Sequence, residues 1–156
     1  MSSNILAAQQ TVTSFTITLA SLANGAGRQS SMVDNSSTKC RRAIVYIIIK
    51  SGGTGPNAGT FCNVYLLRGD NPASSAYRTD GAGASDAAIT IANALPLGAI
   101  QVSNTANALF YGEFDTGDVT TDLGPEWGIA IVNNSGQALN ASGHVAEYNY
   151  IIDQSQ

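Results

Sequence analysis

Residues 40–50, CRRAIVYIIIK, decide the fold. From Ala43 to Ile49 every residue is apolar or aromatic. In an extended chain Val45, Ile47 and Ile49 fall on one side, and Ile44, Tyr46 and Ile48 on the other. The density of β-branched side chains favours strand over helix. A strand apolar on both faces is normally central and covered twice. One face is expected to line the core. The other, Ile44, Tyr46 and Ile48, needs a second layer or another subunit and is the candidate subunit interface.

The pattern on either side is also β. Thr11 to Leu22 alternates, with Phe15, Ile17 and Leu19 expected inward and Thr16 and Thr18 outward, and reads as one half-buried strand. Asn24-Gly25-Ala26-Gly27 supplies turn chemistry, and Arg28 to Asp34 reads as a weaker edge strand. After the Gly-rich loop 51–60, Thr60 to Arg68 is again apolar on both faces. A hairpin between 40–50 and 60–68 would put Cys62 opposite Ile48 and leave Cys40 ~26 Å away at strand rise. A disulfide needs Cα atoms within ~7 Å, so two free thiols are expected.

The segment 69–85 reads as a long loop with Pro72 and Tyr77 as anchors. Strands are expected at 87–92, 98–102, 108–114, 126–133 and 142–152. Eight or nine short strands without a helical period make an all-β chain: a two-sheet antiparallel β-sandwich, jelly-roll-like. The domain spans 11–156, and residues 1–10 read as an N-terminal arm. Within that polar arm Ile5 and Leu6, followed by Ala7 and Ala8, are the candidate contact to a partner's sheet edge.

Composition narrows the function. Of 156 residues, 44% are hydrophobic and only 12% charged, with 16 Gly, which favours short strands joined by tight loops. All seven Lys and Arg precede Thr79, and only acids follow it, for a net charge of -4. An acidic chain without a basic tail makes a poor nucleic-acid binder. No apolar run approaches the ~20 residues of a membrane helix. MSSNILAAQQ has neither the basic residue nor the apolar run of a signal peptide, so folding in a cytoplasm is expected.

No reactive constellation stands out. Phe114-Asp115-Thr116-Gly117 matches the apolar-Asp-Thr-Gly signature of aspartic proteases, but Asp118 stands where Ser or Ala follows, and a turn is the expected role. Asp115, Asp118 and Asp122 fit no EF-hand spacing and read as solvated carboxylates. His144 has no acid beside it and reads as a surface or interface residue. Trp127 reads as core. No CxxC or His cluster offers a zinc site, and no metal, cofactor or catalytic residue is assigned.

Two stretches carry a resemblance: Ile5 to Asp34, ILAAQQTVTSFTITLASLANGAGRQSSMVD, and Gly124 to Tyr150, GPEWGIAIVNNSGQALNASGHVAEYNY. Both resemble small virion proteins of tailed bacteriophages, most closely the jelly-roll capsid decoration, or cement, proteins. The resemblance implies a non-enzymatic protein on the outside of a capsid. It would be assembled in the bacterial cytoplasm, bind the major capsid protein, and clamp neighbouring shell subunits together. It also implies an oligomer, and the two-faced strand 43–49 with the low surface charge leads to the expectation of a homo-oligomer, with a trimer favoured. The alternative is a tail or fibre module that binds host glycans.

Overall fold

The computed structural model describes residues 5–73 and 77–155, with the backbone alone at 5–7 and 153–155. Strands β1 (Ile5–Gln9), β2 (Thr13–Ser14), β5 (Arg42–Lys50), β9 (Leu109–Asp115) and β11 (Val145–Ser155) form one sheet. Its order is β1-β11-β5-β9, with β2 beside β11. Strands β3 (Gly27–Gln29), β4 (Val33–Asp34), β6 (Phe61–Gly69), β7 (Ala87–Ala88), β8 (Leu95–Gln101) and β10 (Glu126–Asn134) form the other. That order is β7-β3-β10-β6-β8, with β4 beside β10. All pairings are antiparallel. The chain is a two-sheet antiparallel β-sandwich, as its alternating patterns predict.

The core lies between the sheets. Val45, Ile47 and Ile49 of β5 are buried against Cys62, Val64 and Leu66 of β6 and Trp127, Ile129 and Ile131 of β10. An aromatic cluster crosses the interior at one end: Trp127 meets Phe15 edge-on at 5.3 Å and Tyr148 at 5.0 Å. The Trp127 indole N–H donates to the Tyr150 hydroxyl at 3.0 Å, so the buried ring keeps a partner for its one polar atom. Gly98 and Gly112 make room for the Phe114 ring, because a Cβ on either would stand within 2.7 Å of it.

Several expectations are corrected. β5 and β6 are not a hairpin. They belong to opposite sheets, joined by the 51–60 loop, and Cys40 and Cys62 are still free, buried thiols as expected. The 11–22 segment keeps its predicted alternation, with Phe15 and Leu19 buried and Thr16 and Thr18 exposed, but only Thr13–Ser14 is strand. It crosses between the sheets. The Phe15 N–H donates to Ala146 of one sheet, and the next carbonyl, Thr16, accepts from Ser31 beside the other. The 28–34 segment is broken into β3 and β4, and β3 is not an edge, since β7 pairs outside it.

Residues 5–9 are not a free arm. They pair with 151–155 of β11, from Ile5 opposite Ser155 to Gln9 opposite Ile151. Backbone pairing asks for no apolar period, so the side-chain pattern gave no sign of it. Met1–Asn4 lie outside the described residues.

The two faces of β5 should respond differently to truncation. Ile47→Ala is expected to cost about 2–5 kcal/mol of unfolding free energy. Ile48→Ala on the outer face should cost less than about 1 kcal/mol. Urea unfolding followed by the emission of Trp127, the one tryptophan of the chain, measures both.

Candidate functional site

The two sheets differ in what covers their outer faces. On the β10 sheet, Leu67 and Ala130 are fully buried beneath Ala82, Ala94, Ile89, Ile91 and Met32, so the 78–94 segment acts as a roof. On the β5 sheet, register places three rows outward. Tyr111, Ile48 and Val145 form one row, Glu113, Tyr46 and Glu147 the next, and Asp115, Ile44 and Asn149 the third. Lys50 and Leu109 extend the face at one end. Tyr111 is 68% exposed, Leu109 45% and Val145 36%. Ile44, Tyr46 and Ile48 are half-buried by their strand neighbours, and no described segment roofs them as 78–94 roofs the other sheet. The structure thus brings the candidate interface residues onto one open apolar stripe with a carboxylate on each side of Tyr46.

The third row is more ordered than its exposure suggests. Arg42 donates from Nε to Asp115 at 2.7 and 2.9 Å, and its terminal nitrogen pairs with the same carboxylate. Asp115 also accepts the Gly117 N–H at 2.8 Å and starts a short 3-10 turn, Thr116–Asp118. Thr116 is buried, and its hydroxyl accepts the Ala43 N–H at 2.9 Å. The Asp-Thr-Gly stretch is therefore the joint between β9 and the start of β5. Asn149, also in this row, is buried with Oδ1 lacking a hydrogen-bond partner.

The remaining candidates have structural roles. His144 is half-buried. Its Nδ1 accepts the Lys50 N–H at 3.2 Å, and Nε2 lies 2.9 Å from the Asn140 carbonyl, so the ring ties the end of β5 to the turn before β11. Trp127 is fully buried. Burial pushes the Cys62 thiol up to about 11, leaving almost no thiolate at neutral pH. Among the described residues no three His, Cys, Asp or Glu side chains converge on a metal position. No described helix is long and apolar enough to cross a membrane.

Tyr77 was expected to anchor the 69–85 loop, but it is 76% exposed. The anchor is the next residue. Arg78 forms a buried bidentate pair with Glu126, at 2.7 and 2.6 Å, each side chain 4% exposed. Gln29 holds the following turn, donating to the carbonyls of Gly83 and Ser85 and accepting the Gly83 N–H. The only sequence signal for the pair was an acid, Glu126, directly before the apolar run of β10.

Comparison with family models, with curated proteins and with solved structures found no match.

Removing one partner of the buried pair strands the other. Arg78→Met is expected to cost about 3–5 kcal/mol, and Arg78→Met with Glu126→Leu to recover much of it, measured in a denaturant double-mutant cycle.

The surface carboxylates set an acid limit. Hydrogen bonds from Arg42 hold the Asp115 carboxyl below its ordinary value, against the upward push of partial burial and helped by the Gly117 N–H. Burial raises Asp86, but hydrogen bonds from Arg28 and Thr18 outweigh it and bring the carboxyl below the ordinary range. A carboxyl depressed in the folded state stabilises fully above its unfolded value, and that contribution vanishes as pH falls through the folded value. The thermal midpoint should therefore hold steady from about pH 7 to 5 and drop below about pH 4. Asp115→Asn should lower the midpoint at neutral pH and flatten part of the acid fall.

Proposed function

We propose that this chain is a non-catalytic structural protein of a bacteriophage virion, a capsid decoration protein that binds the outside of the shell and clamps major capsid subunits together. One observation carries the reading: a sandwich roofed on one sheet presents an open apolar stripe on the other. A protein that works by surface contact needs such a face and no reactive centre. Exposed aromatic and aliphatic side chains rimmed by charge are the composition of a protein interface.

The connectivity supports the finer fold reading. Merging β1 with β2 and β3 with β4, and setting aside β7, leaves eight strands in chain order. These pair as 1-8-3-6 over 2-7-4-5, which is the order of a jelly roll. The proposed partners are the major capsid protein and other copies of this chain, with a trimer favoured. Ile44, Tyr46 and Ile48 would form the contact between copies. Ile5, Leu6, Ala7 and Ala8 lie on β1 at the edge of the same sheet, where a shell strand could add to them.

A second reading has its own observation. Tyr111 and Tyr46 share the face with Glu113 and Glu147, and an aromatic ring beside carboxylates is also a sugar-binding surface. A tail or fibre module that binds host glycans would use it. Imaging purified particles decides between them: density on the head supports decoration, and density on the tail supports glycan binding.

The interface reading has a separate test. Sedimentation of the wild-type chain at micromolar concentration should show an oligomer, and Ile48→Glu should yield a folded monomer. Wild-type sedimentation as a monomer would overturn the self-association.

A further inference from the structure

The charges on the open face of the β5 sheet are unevenly placed. Its rows follow one another along β5 at Lys50, Ile48, Tyr46 and Ile44. Lys50 stands beside Leu109 at one end, and its half-buried side chain has no ion-pair partner among the described residues. Two rows on, Tyr46 lies between Glu113 of β9 and Glu147 of β11. Glu113 is exposed, and Glu147 is half-buried and accepts the Ser14 hydroxyl at 3.3 Å. One row further, Asp115 is held by Arg42. Asp153 lies past the Arg42–Ile151 rung, beyond this end of the face. The chain beyond Lys50 at the other end, 51–53, 105–107 and 141–143, carries no charge.

Two copies that meet through the same face are related by a twofold axis lying between them. The charges discriminate among the possible axes. An axis along the strands exchanges β9 with β11 and sets Glu113 on Glu147 of the other copy. A threefold axis in that direction brings the same two sides together. An axis across the strands at Tyr46 sets each carboxylate on itself, and one at Lys50 sets the ammonium on itself. Midway between Tyr46 and Ile48, the axis covers both carboxylates with Tyr111 and Val145 and leaves them unpaired, which is costly. At Ile48 the axis exchanges the Lys50 row with the Tyr46 row. Tyr111, Ile48 and Val145 then meet their own counterparts. Each Lys50 rests on the Tyr46 ring of the other copy, between its Glu113 and Glu147. An ammonium has three donors, enough for both carboxylates, and the ring face adds a cation–π contact. The Asp115 row, with Arg42 still in place, falls against the uncharged end.

We propose that two copies pair face to face about a twofold axis that crosses the strands at Ile48, with Lys50 of each seated between Glu113 and Glu147 of the other. This rests on the self-association reading above and sets its symmetry: a pair, where the expectation from sequence favours a trimer. Apolar side chains at the axis supply adhesion, and the two lysine sites fix the register.

The test is a charge exchange between two variants of the full chain. Lys50→Glu places three carboxylates in each site, and Glu113→Lys with Glu147→Lys places three ammoniums there. Each variant alone should associate about tenfold more weakly than wild type or worse. An equimolar mixture of the two should recover the association, because both sites of the mixed pair regain opposite charges. These side chains are exposed or half-buried, and circular dichroism checks that each variant folds. A second measurement locates the axis. A short bismaleimide that spans the ~10 Å between packed sheets should link Ile48→Cys chains in pairs and leave Ile44→Cys chains unlinked. The native thiols, Cys40 and Cys62, are buried. A wild-type chain that sediments as a monomer overturns self-association and this register with it. An oligomer that both variants form as well as wild type does, that the mixture fails to restore, or that links at Ile44 instead of Ile48 overturns the register and leaves self-association standing.

Discussion

The structure depends on the burial of one face of β5. Val45, Ile47 and Ile49 fill the gap between the sheets against Trp127, Ile129 and Ile131, and these six side chains are between 0% and 1% exposed. A strand has a period of two, so this commitment turns Ile44, Tyr46 and Ile48 outward with no freedom to choose otherwise. A one-residue slip against β11 would exchange the two sets. The slip is blocked from both ends, by the Thr116 hydroxyl on the Ala43 N–H and by His144 on the Lys50 N–H. The outward face is thus a consequence of the core, and its apolar residues are present in spite of that exposure.

Loops in this chain are held by buried amides more than by charge. Asn35 ties Cys40 and Gly124 together, and Asn133 accepts from Ser135 while donating to the carbonyls of Leu22 and Gln137. With Gln29 these side chains satisfy backbone groups that no ladder reaches, as buried polar groups must be. Such an arrangement suits a sequence only 12% charged. The exceptions are two ion pairs, Arg78 with Glu126 and Arg28 with Asp86, which fasten the roof over the β10 sheet together with Gln29.

What was legible in the sequence was what period two controls. The patterns in 43–49, 60–68 and 126–133 identified β5, β6 and β10 as strands, and in β5 period two separated Ile44, Tyr46 and Ile48 as an outward set. It could not say which strands are neighbours. β5 and β6 look like a hairpin because both are apolar on both faces, yet a loop of ten residues is long enough to carry the chain to the opposite sheet. β1 was invisible because main-chain pairing leaves no period in the side chains. Arg78 was passed over for Tyr77 because an aromatic is the commoner anchor, and nothing local reveals that Glu126, 48 residues on, waits for a cation.

The open face also limits how copies could meet on it. Glu113 and Glu147 flank Tyr46, and covering the tyrosine strips water from both carboxylates or leaves them at the rim. A buried carboxylate needs a cation, and removing water from an unpaired one costs more than the apolar contact gains. Within the rows, Arg42 is already engaged by Asp115, so the cation this face can offer a second copy is Lys50, beside Leu109. A contact between two such faces is therefore favourable only in registers that bring Lys50 of one copy toward Glu113 or Glu147 of the next. Registers that stack carboxylate on carboxylate repel. The apolar stripe supplies the adhesion, and the few charges around it choose the geometry.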